Sequence, residues 1–347
     1  MDGEMDEDVL TEILARLPCR SLARFQCVST SWRRIISSDY LRRRLPLITS
    51  GVLYHDGGRR QQSYTYACAS GGGGGGGAMA EAADMRFFPR HETSTIIDGC
   101  NGLLLYYASR PAAFHVVSPT TRRWAELPAP RAMTLLSVLA FDPRASPRYR
   151  VVCFTGWLPR GATVEVFDSE RGAWRGHELD FGLGTDAMSA SMHYAAGALH
   201  VLAYSGHVVR VDLDTMACAV TPLPAPVSCR ARAGHCRGRL RFASSDGQRL
   251  RIWELQDAAA GEWALKHEIG VSDVVPGDAA SQPITFLFMA FHPDRELVYL
   301  WSPWKLLAFD LVERRVQEWV FGSEKEGTHL IQVWLFPFSR HLANALA

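Results

Sequence analysis

Three histidines, His193, His200 and His207, recur at seven-residue intervals, and Cys229, His235 and Cys236 follow closely behind them. Imidazole and thiolate are ordinary ligands of zinc and copper, so both groups invite a metal reading. Their spacing argues against it. An odd interval along a strand alternates faces, and Ala196-Gly197 and Ser205-Gly206 read as intervening turns. Cys229, His235 and Cys236 sit in an arginine-rich, turn-like stretch without a second ligand pair. The run of glycines from Gly71 to Gly77 lacks the Gly-Lys-Ser/Thr ending of a phosphate-binding loop, and no helical pattern follows it. Neither a Gly-x-Ser-x-Gly elbow nor a His-Glu-x-x-His helix occurs. Carboxylate pairs that converge only in space leave no mark in a sequence, and no acid stands out as one. These residues call for no metal, no cofactor and no catalytic group.

Another set points to recognition. In RLRFASSDGQRLRIW, Arg239 and Arg241 alternate with Leu240 and Phe242, and Arg249 and Arg251 with Leu250 and Ile252. Such alternation marks half-buried strands. A two-residue Asp-Gly turn would pair Arg251 with Phe242 and mix the faces. A three-residue Ser245-Asp246-Gly247 loop, with Gly247 left-handed, instead pairs Arg241 with Arg251 and Phe242 with Leu250. Hydrophobic segregation selects that register. It gathers the arginines on one face, where opposed like charges cost a few tenths to ~1 kcal/mol. Either Glu254 or Glu262 neutralises them, or an acidic or phosphorylated protein target does.

Composition bounds the setting. The chain has 347 residues, enough for one large domain and a small one, and is 47% hydrophobic, which supports a substantial core. A formal net charge of +1 argues against generic nucleic-acid binding. No 18-residue apolar run is present to span a membrane, and the acidic N-terminus has no signal-peptide core. Eight cysteines are scattered with no Cys-x-x-Cys pair, a pattern of reduced thiols. The expected compartment is nucleus and/or cytoplasm.

The residues that could bind must be held by two different kinds of element. Near the start, Val9, Leu10, Ile13, Leu14 and Leu17 form a helical stripe closed by Pro18. Ser21 is placed to cap a second helix bearing Leu22, Phe25 and Cys27. Ser29, Thr30 or Ser31 starts a third with Trp32, Ile35 and Ile36. Acids from Asp2 to Glu12 suit the first helix dipole, while Arg16, Arg20, Arg24, Arg33, Arg34 and Arg42 to Arg44 are free for an acidic partner or for solvent. Three helices in about 36 residues cannot enclose a self-sufficient core. The segment reads as a docking module.

The stretch DEDVLTEILARLPCRSLARFQCVSTSWRRIISSDYL resembles an F-box, through Val9, Leu10, Ile13, Leu14, Leu17, Pro18, Ser21, Leu22, Phe25, Val28, Ser29, Trp32 and Ile36. The resemblance implies that residues 1–48 bind a Skp-type adaptor of cullin-based ubiquitin ligases. The implied contacts are Val9, Leu10, Ile13, Leu14, Leu17, Pro18, Leu22, Phe25, Val28, Trp32 and Ile36. Where that family usually opens with Leu-Pro, this chain has Met5-Asp6, so weaker docking is expected.

Residues 49–96 read as a connecting segment with a Gly-rich loop and first-blade strands, and helical periodicity largely disappears after the glycines. From 97 to 340, short apolar runs such as GLLLYY, RVVCF, GALHVLAY, LRIWEL and KLLAFDL alternate with Gly, Pro, Asp and Ser turns, the pattern of an all-β domain. A polar residue followed six positions later by an apolar one recurs at Ser118/Trp124, Asp168/Trp174, Asp214/Val220, Asp257/Trp263 and Asp310/Val316. The starts are 50, 46, 43 and 53 residues apart, a propeller-blade period. The tryptophans read as core between blades. GVLYH and SYTYACA near the start are placed to join LIQVWLFPF near the end in a sixth blade; seven blades is the alternative count.

CNGLLLYY, VVSPTTRRWAELPAP, LAFDPRASPRYRVVCF and YAAGALHVLAY are similar to the plant F-box-associated domain, a kelch-like propeller, over roughly residues 86 to 320. Together the two resemblances imply a non-catalytic substrate receptor of a Skp-cullin-F-box ubiquitin ligase. Its partners would be the adaptor, through it cullin and the ubiquitin-conjugating machinery, and a protein target on the propeller. A non-ligase F-box scaffold is the alternative.

Overall fold

The computed structural model describes residues 6–17, 19–44, 49–55, 64–68, 85–119, 121–228, 230–274, 287–302, 305–320, 336–339 and 346. Four short helices come first: α1 (Glu7–Leu14), α2 (Cys19–Phe25), α3 (Thr30–Ile36) and α4 (Asp39–Arg44). Asp6 caps α1 by accepting the Asp8 N–H at 3.1 Å, and Ser29 caps α3 by accepting the Trp32 N–H at 3.1 Å. Two expectations need correction. Ser21 lies inside α2 rather than capping it, because α2 already starts at Cys19. The module has a fourth helix, anchored by one apolar residue, Leu41, which is fully buried, and started by Ser38, whose hydroxyl accepts the Leu41 N–H at 3.3 Å. A single apolar anchor leaves no periodicity to read.

Two strands follow, β1 (Thr49–His55) and β2 (Tyr64–Cys68), and then five antiparallel four-stranded blades. The first blade is β3 (Ser94–Cys100), β4 (Leu103–Ser109), β5 (Ala112–Ser118) and β6 (Arg123–Glu126). The second is β7 (Leu136–Phe141), β8 (Tyr149–Leu158), β9 (Gly161–Asp168) and β10 (Ala173–Asp180). The third is β11 (Met188–Ala195), β12 (Ala198–Ala203), β13 (His207–Asp212) and β14 (Cys218–Pro222). The fourth is β15 (Arg232–Cys236), β16 (Arg239–Ser245), β17 (Arg249–Asp257) and β18 (Glu262–Gly270), followed by the one-turn α5 (Val271–Val274). The fifth is β19 (Leu287–Phe291), β20 (Leu297–Ser302), β21 (Lys305–Asp310) and β22 (Val316–Val320). Each opens on the strand nearest the axis, and β3, β7, β11, β15 and β19 are neighbours in that order.

Among the described residues the propeller therefore has five four-stranded blades, and a count of six or seven is not supported. The two ends of the chain do pair: β23 (Phe336–Ser339) runs antiparallel to β1, which pairs with β2. Among the described residues this sheet has three strands, and β23 lies beside β3.

The recurring polar residue proves to be the anchor of the third-to-fourth-strand turn. Its side chain collects turn N–H groups: Ser118 from Thr121 (3.4 Å), Asp168 from Glu170 (3.0 Å), Asp257 from Ala259 (2.8 Å) and Asp310 from Val312 (2.9 Å). In the third blade this role belongs to Asp212, which accepts from Asp214 (3.1 Å) and Thr215 (3.0 Å). The Asp214/Val220 phase is thus two residues late, and Cys218 holds the position that Trp124, Trp174, Trp263 and Val316 hold elsewhere. Backbone geometry gives the same phase. Four residues beyond each anchor φ is positive, at Arg122, Gly172, Met216, Gly261 and Arg314.

Tryptophan at the start of a fourth strand ties neighbouring blades. Trp174 Nε1 donates to the Pro128 carbonyl at 2.7 Å, and Trp263 Nε1 to the Pro222 carbonyl at 2.8 Å. Apolar layers fill the spaces between blades; Val152, Phe154, Val164, Leu199, Val201 and Val209 form one of them. Contact there is tight enough that a Cβ on Gly234 would lie 2.5 Å from the Phe291 ring of the next blade.

Turns between first and second strands, and between third and fourth, share one face, here called lower. Second-to-third turns and the crossovers between blades share the opposite, upper face. Three lower turns are two-residue hairpins with both φ values positive: Asn101-Gly102, Ala196-Gly197 and Arg237-Gly238. Asn suits the first position of such a turn, whereas Ala196 at φ 49° is strained. Ala196→Asn should raise stability by about 0.5–1 kcal/mol in urea denaturation, and Ala196→Val should lower it.

Candidate functional site

In the helical module, the stripe residues divide by accessibility. Leu10, Leu14, Leu22, Ile35, Ile36 and Leu41 form its core, with Leu17, Phe25 and Trp32 half-buried against them. Phe25 and Trp32 meet edge-on, ring centroids 5.1 Å apart. Val9, Ile13 and Val28 remain exposed, at 51%, 45% and 62%. Leu10, Leu14, Leu22 and Ile36 are therefore misplaced as partner contacts: they are consumed in holding α1, α2 and α3 together. Pro18 and Met5 lie outside the described residues. Arg34 is not free for a partner either, since it pairs with Glu7 at 3.0 Å and joins α3 to α1.

What the accessible residues offer is a small apolar surface, edged by the half-buried Leu17, Phe25 and Trp32. Val9 and Ile13 lie one turn apart on α1 and Val28 in the turn before α3, so part of the module's apolar stripe is left uncovered.

The arginine-rich hairpin folds in another register than expected. Arg241 lies opposite Glu254, Phe242 opposite Trp253 and Ser244 opposite Arg251. The pairing is shifted by three residues, an odd number, so Arg241 and Arg251 point to opposite faces. No four-arginine face exists. Arg241 is only 3% exposed and is gripped on two sides. Its Nε and Nη2 donate to one Glu254 oxygen (3.1 and 2.9 Å), and Nη1 and Nη2 donate to the two Glu296 oxygens (2.7 Å each). Glu296 belongs to the next blade, so the guanidinium is a bolt between blades four and five. The Arg241 hydrogen bonds hold Glu296 down at about 2 and also lower Glu254. Arg249 and Arg251 share Glu268, at 2.5 and 3.1 Å, while Arg239 stays exposed near Glu254 at 3.9 Å. Hydrophobic segregation chose the wrong register because it counted Arg241 as a surface residue.

Around the axis the histidines are brought together, though not as the seven-residue interval suggested. His193 on β11 sits directly opposite His200 on β12, and its Nε2 is 2.6 Å from Nδ1 of His235 on β15. His207 is elsewhere, near Ser205. Burial lowers all three: His200 to about 4, His235 below its usual value, and His193 well below it with help from its two neighbours. His193 and His235 are thus a neutral pair sharing one proton between blades three and four. Cys236 donates its thiol to the Arg295 carbonyl, and Cys229 lies outside the described residues. Among the described residues no three His, Cys, Asp or Glu side chains converge as metal ligands.

A bulge in β3 turns Asp98 toward β7, where it accepts the Leu139 N–H at 2.6 Å as well as the Gly99 N–H at 2.8 Å. Burial pushes this carboxyl up to about 7. On the lower face Arg144 meets Asp294 at 3.2 Å, joining the loops of blades two and five. These buried polar groups are joints between blades.

An F-box domain model matches residues 4–44, and a model described as "F-box protein At3g26010-like, beta-propeller" matches residues 82–331. The chain belongs to the plant F-box proteins that carry this propeller. An Arabidopsis thaliana F-box protein, At5g07610, is 30% identical over 49% of this chain, a span covering 44% of that relative's length. Two putative F-box/kelch-repeat proteins of the same plant match nearly end to end. At1g15680 is 26% identical over 89% of this chain and 82% of its own, and At4g22430 is 24% identical over 92% and 81%.

Removing the Arg241 bolt strands two carboxylates. Arg241→Ala should cost about 3–5 kcal/mol in thermal or urea unfolding, whereas Arg249→Ala, on an exposed pair, should cost under about 1 kcal/mol. The histidine pair predicts a pH effect of definite sign. Because its folded pKa values are depressed, the stability it contributes is complete above pH 6.5 and drains away as pH falls. Asp98, raised to about 7, acts oppositely, its contribution being present below 3.8 and lost as pH rises through 7. Subtracting the unfolding profile of a His193→Leu/His235→Leu variant from that of the wild type isolates the histidines. The difference should shrink between pH 7.5 and 5.

Proposed function

We propose that this chain is the substrate-recognition subunit of a Skp-cullin-F-box ubiquitin ligase. The observation that carries this reading is the exposed apolar group Val9, Ile13 and Val28 on a helical module that matches the F-box domain. The adaptor would cover these residues together with Leu17, Phe25 and Trp32, while Leu10, Leu14, Leu22 and Ile36 set the helices at the angle that presents them. The propeller would hold a target protein. The chain does no bond chemistry: by tethering a target near a charged ubiquitin-conjugating enzyme it raises their effective concentration. It would work in the nucleus, the cytoplasm or both.

Met5-Asp6, in place of the usual Leu-Pro opening, favours one second reading: an F-box scaffold that acts outside the ligase. Adaptor binding without cullin-dependent turnover of any target would support it.

Co-elution of the full chain with a purified Skp-type adaptor tests the first reading. Val9→Asp/Ile13→Asp should abolish the complex, a loss of roughly 2–4 kcal/mol, with the fold kept because neither side chain is part of the module's core, as circular dichroism would verify. An unchanged complex, or none with the wild type, removes the adaptor-binding role.

A further inference from the structure

The two faces of the propeller use their charges differently. On the lower face, several arginines are held in ion pairs, most of them between blades. Arg144 pairs with Asp294, Arg150 with Asp214, Arg241 with Glu296, and Arg148 reaches Asp168, Glu170 and Asp214. The upper face over blades one to four is built from loops 110–111, 127–135, 159–160, 181–187, 204–206 and 223–231. Their charged residues are Arg110, Arg131, Arg160 and Arg230 against Asp186, with Asp246 on the corresponding turn of blade four, Asp180 at the edge of loop 181–187 and Glu165 accepting the Arg131 N–H at 2.8 Å. None of the four arginines makes an ion pair among the described residues.

Apolar side chains are exposed on these same loops or at their edges. Met133 is 81% exposed, Leu135 52%, Trp157 41% and Tyr204 51%. Two of them are held beside Phe154 of the second blade. Leu135 N–H donates to the Phe154 carbonyl at 2.8 Å, and Trp157 stacks on the Phe154 ring at 5.4 Å. Beneath them Leu136, Met188 and Met192 are half-buried against the core between blades two and three. Methionines at such a mouth can reshape around an inserted side chain. The patch is thus apolar at its centre, with arginines at its rim that make no ion pair among the described residues, although Arg160 donates to the Gly182 carbonyl at 3.3 Å.

Resting on the receptor reading above, we infer that this upper patch over blades two and three is where the target docks. The segment it fits is acidic and carries an apolar or aromatic anchor. The anchor would seat beside Leu135 and Trp157, and the acids would meet Arg131, Arg160 and Arg230. This replaces the Arg239–Arg251 hairpin as the recognition surface, since Arg241, Arg249 and Arg251 are already neutralised by Glu254, Glu296 and Glu268.

A 12-residue phage-displayed peptide library selected on the immobilised full chain supplies the probe. Selected peptides, resynthesised with a fluorophore, are then titrated by anisotropy. Expected are sequences pairing Asp or Glu with Phe, Trp, Leu or Met, and binding that weakens as salt is raised. Trp157→Ala and the Arg131→Glu/Arg160→Glu variant should each weaken binding at least about tenfold, and the lower-face variant Arg171→Glu should leave it unchanged. Circular dichroism confirms that each variant is folded. Failure to select any peptide, selection of sequences without acids, indifference to the upper-face variants, or equal competition by an RNA oligonucleotide overturns the inference. Adaptor co-elution of the same variants separates the two claims: it stays intact if only this surface is wrong, and the wild type fails in it if the receptor reading is wrong.

Discussion

A four-stranded blade has two apolar faces, and each must be covered by another blade. That constraint governs the rest of this structure. It repeats one unit around an axis, places a tryptophan or its substitute at the head of the fourth strand, and leaves the polar backbone of the turns for two outer faces. It also explains why polar residues are buried at the places found here. Apolar layers attract but do not orient, so the angle between neighbouring blades is left to directional bonds. Arg241 with its two glutamates, Asp98 with the Leu139 amide, and the His193–His235 pair each join adjacent blades in one geometry.

The same division separates structural charge from available charge. A guanidinium buried between two carboxylates is costly to desolvate and strongly held once paired, so it serves as a joint and has nothing left for a partner. A guanidinium on a crossover loop with no acid beside it keeps its capacity. Abundance of arginine is therefore a poor guide to a binding surface, and its pairing is a better one. In this propeller the best-patterned arginines are the least available.

Much of the architecture was legible because repetition amplifies weak signals. One Asp before a turn means little, but five anchors at similar intervals reveal a period. The third anchor was misplaced by two residues because Asp212 and Asp214 are equally plausible in isolation. Only the hydrogen bonds to Asp212 and the positive φ at Met216 distinguish them. The full blade count was less legible: the two chain ends pair as expected, but no local pattern says whether the sheet they form is a complete blade. In the docking module, sequence marked the apolar stripe, yet periodicity cannot say which side of a stripe faces inward. Leu10 and Leu14 went in, Val9 and Ile13 stayed out, and that sorting depends on where the other helices lie. The hairpin register failed for a related reason: a charged residue was assumed to seek water when its partner acid came from another blade.

The pairing of β1 with β23 has a consequence for how the protein is made. At ribosomal rates of roughly 5–20 residues per second, the interval between emergence of those two strands is on the order of tens of seconds. Throughout that time the helical module is already outside the ribosome, while β1 lacks its later neighbour and the ring stays open. The part proposed to meet the adaptor thus emerges well before the part proposed to select a target is complete. A nascent chain could be captured by its docking end while its recognition end is still being synthesised.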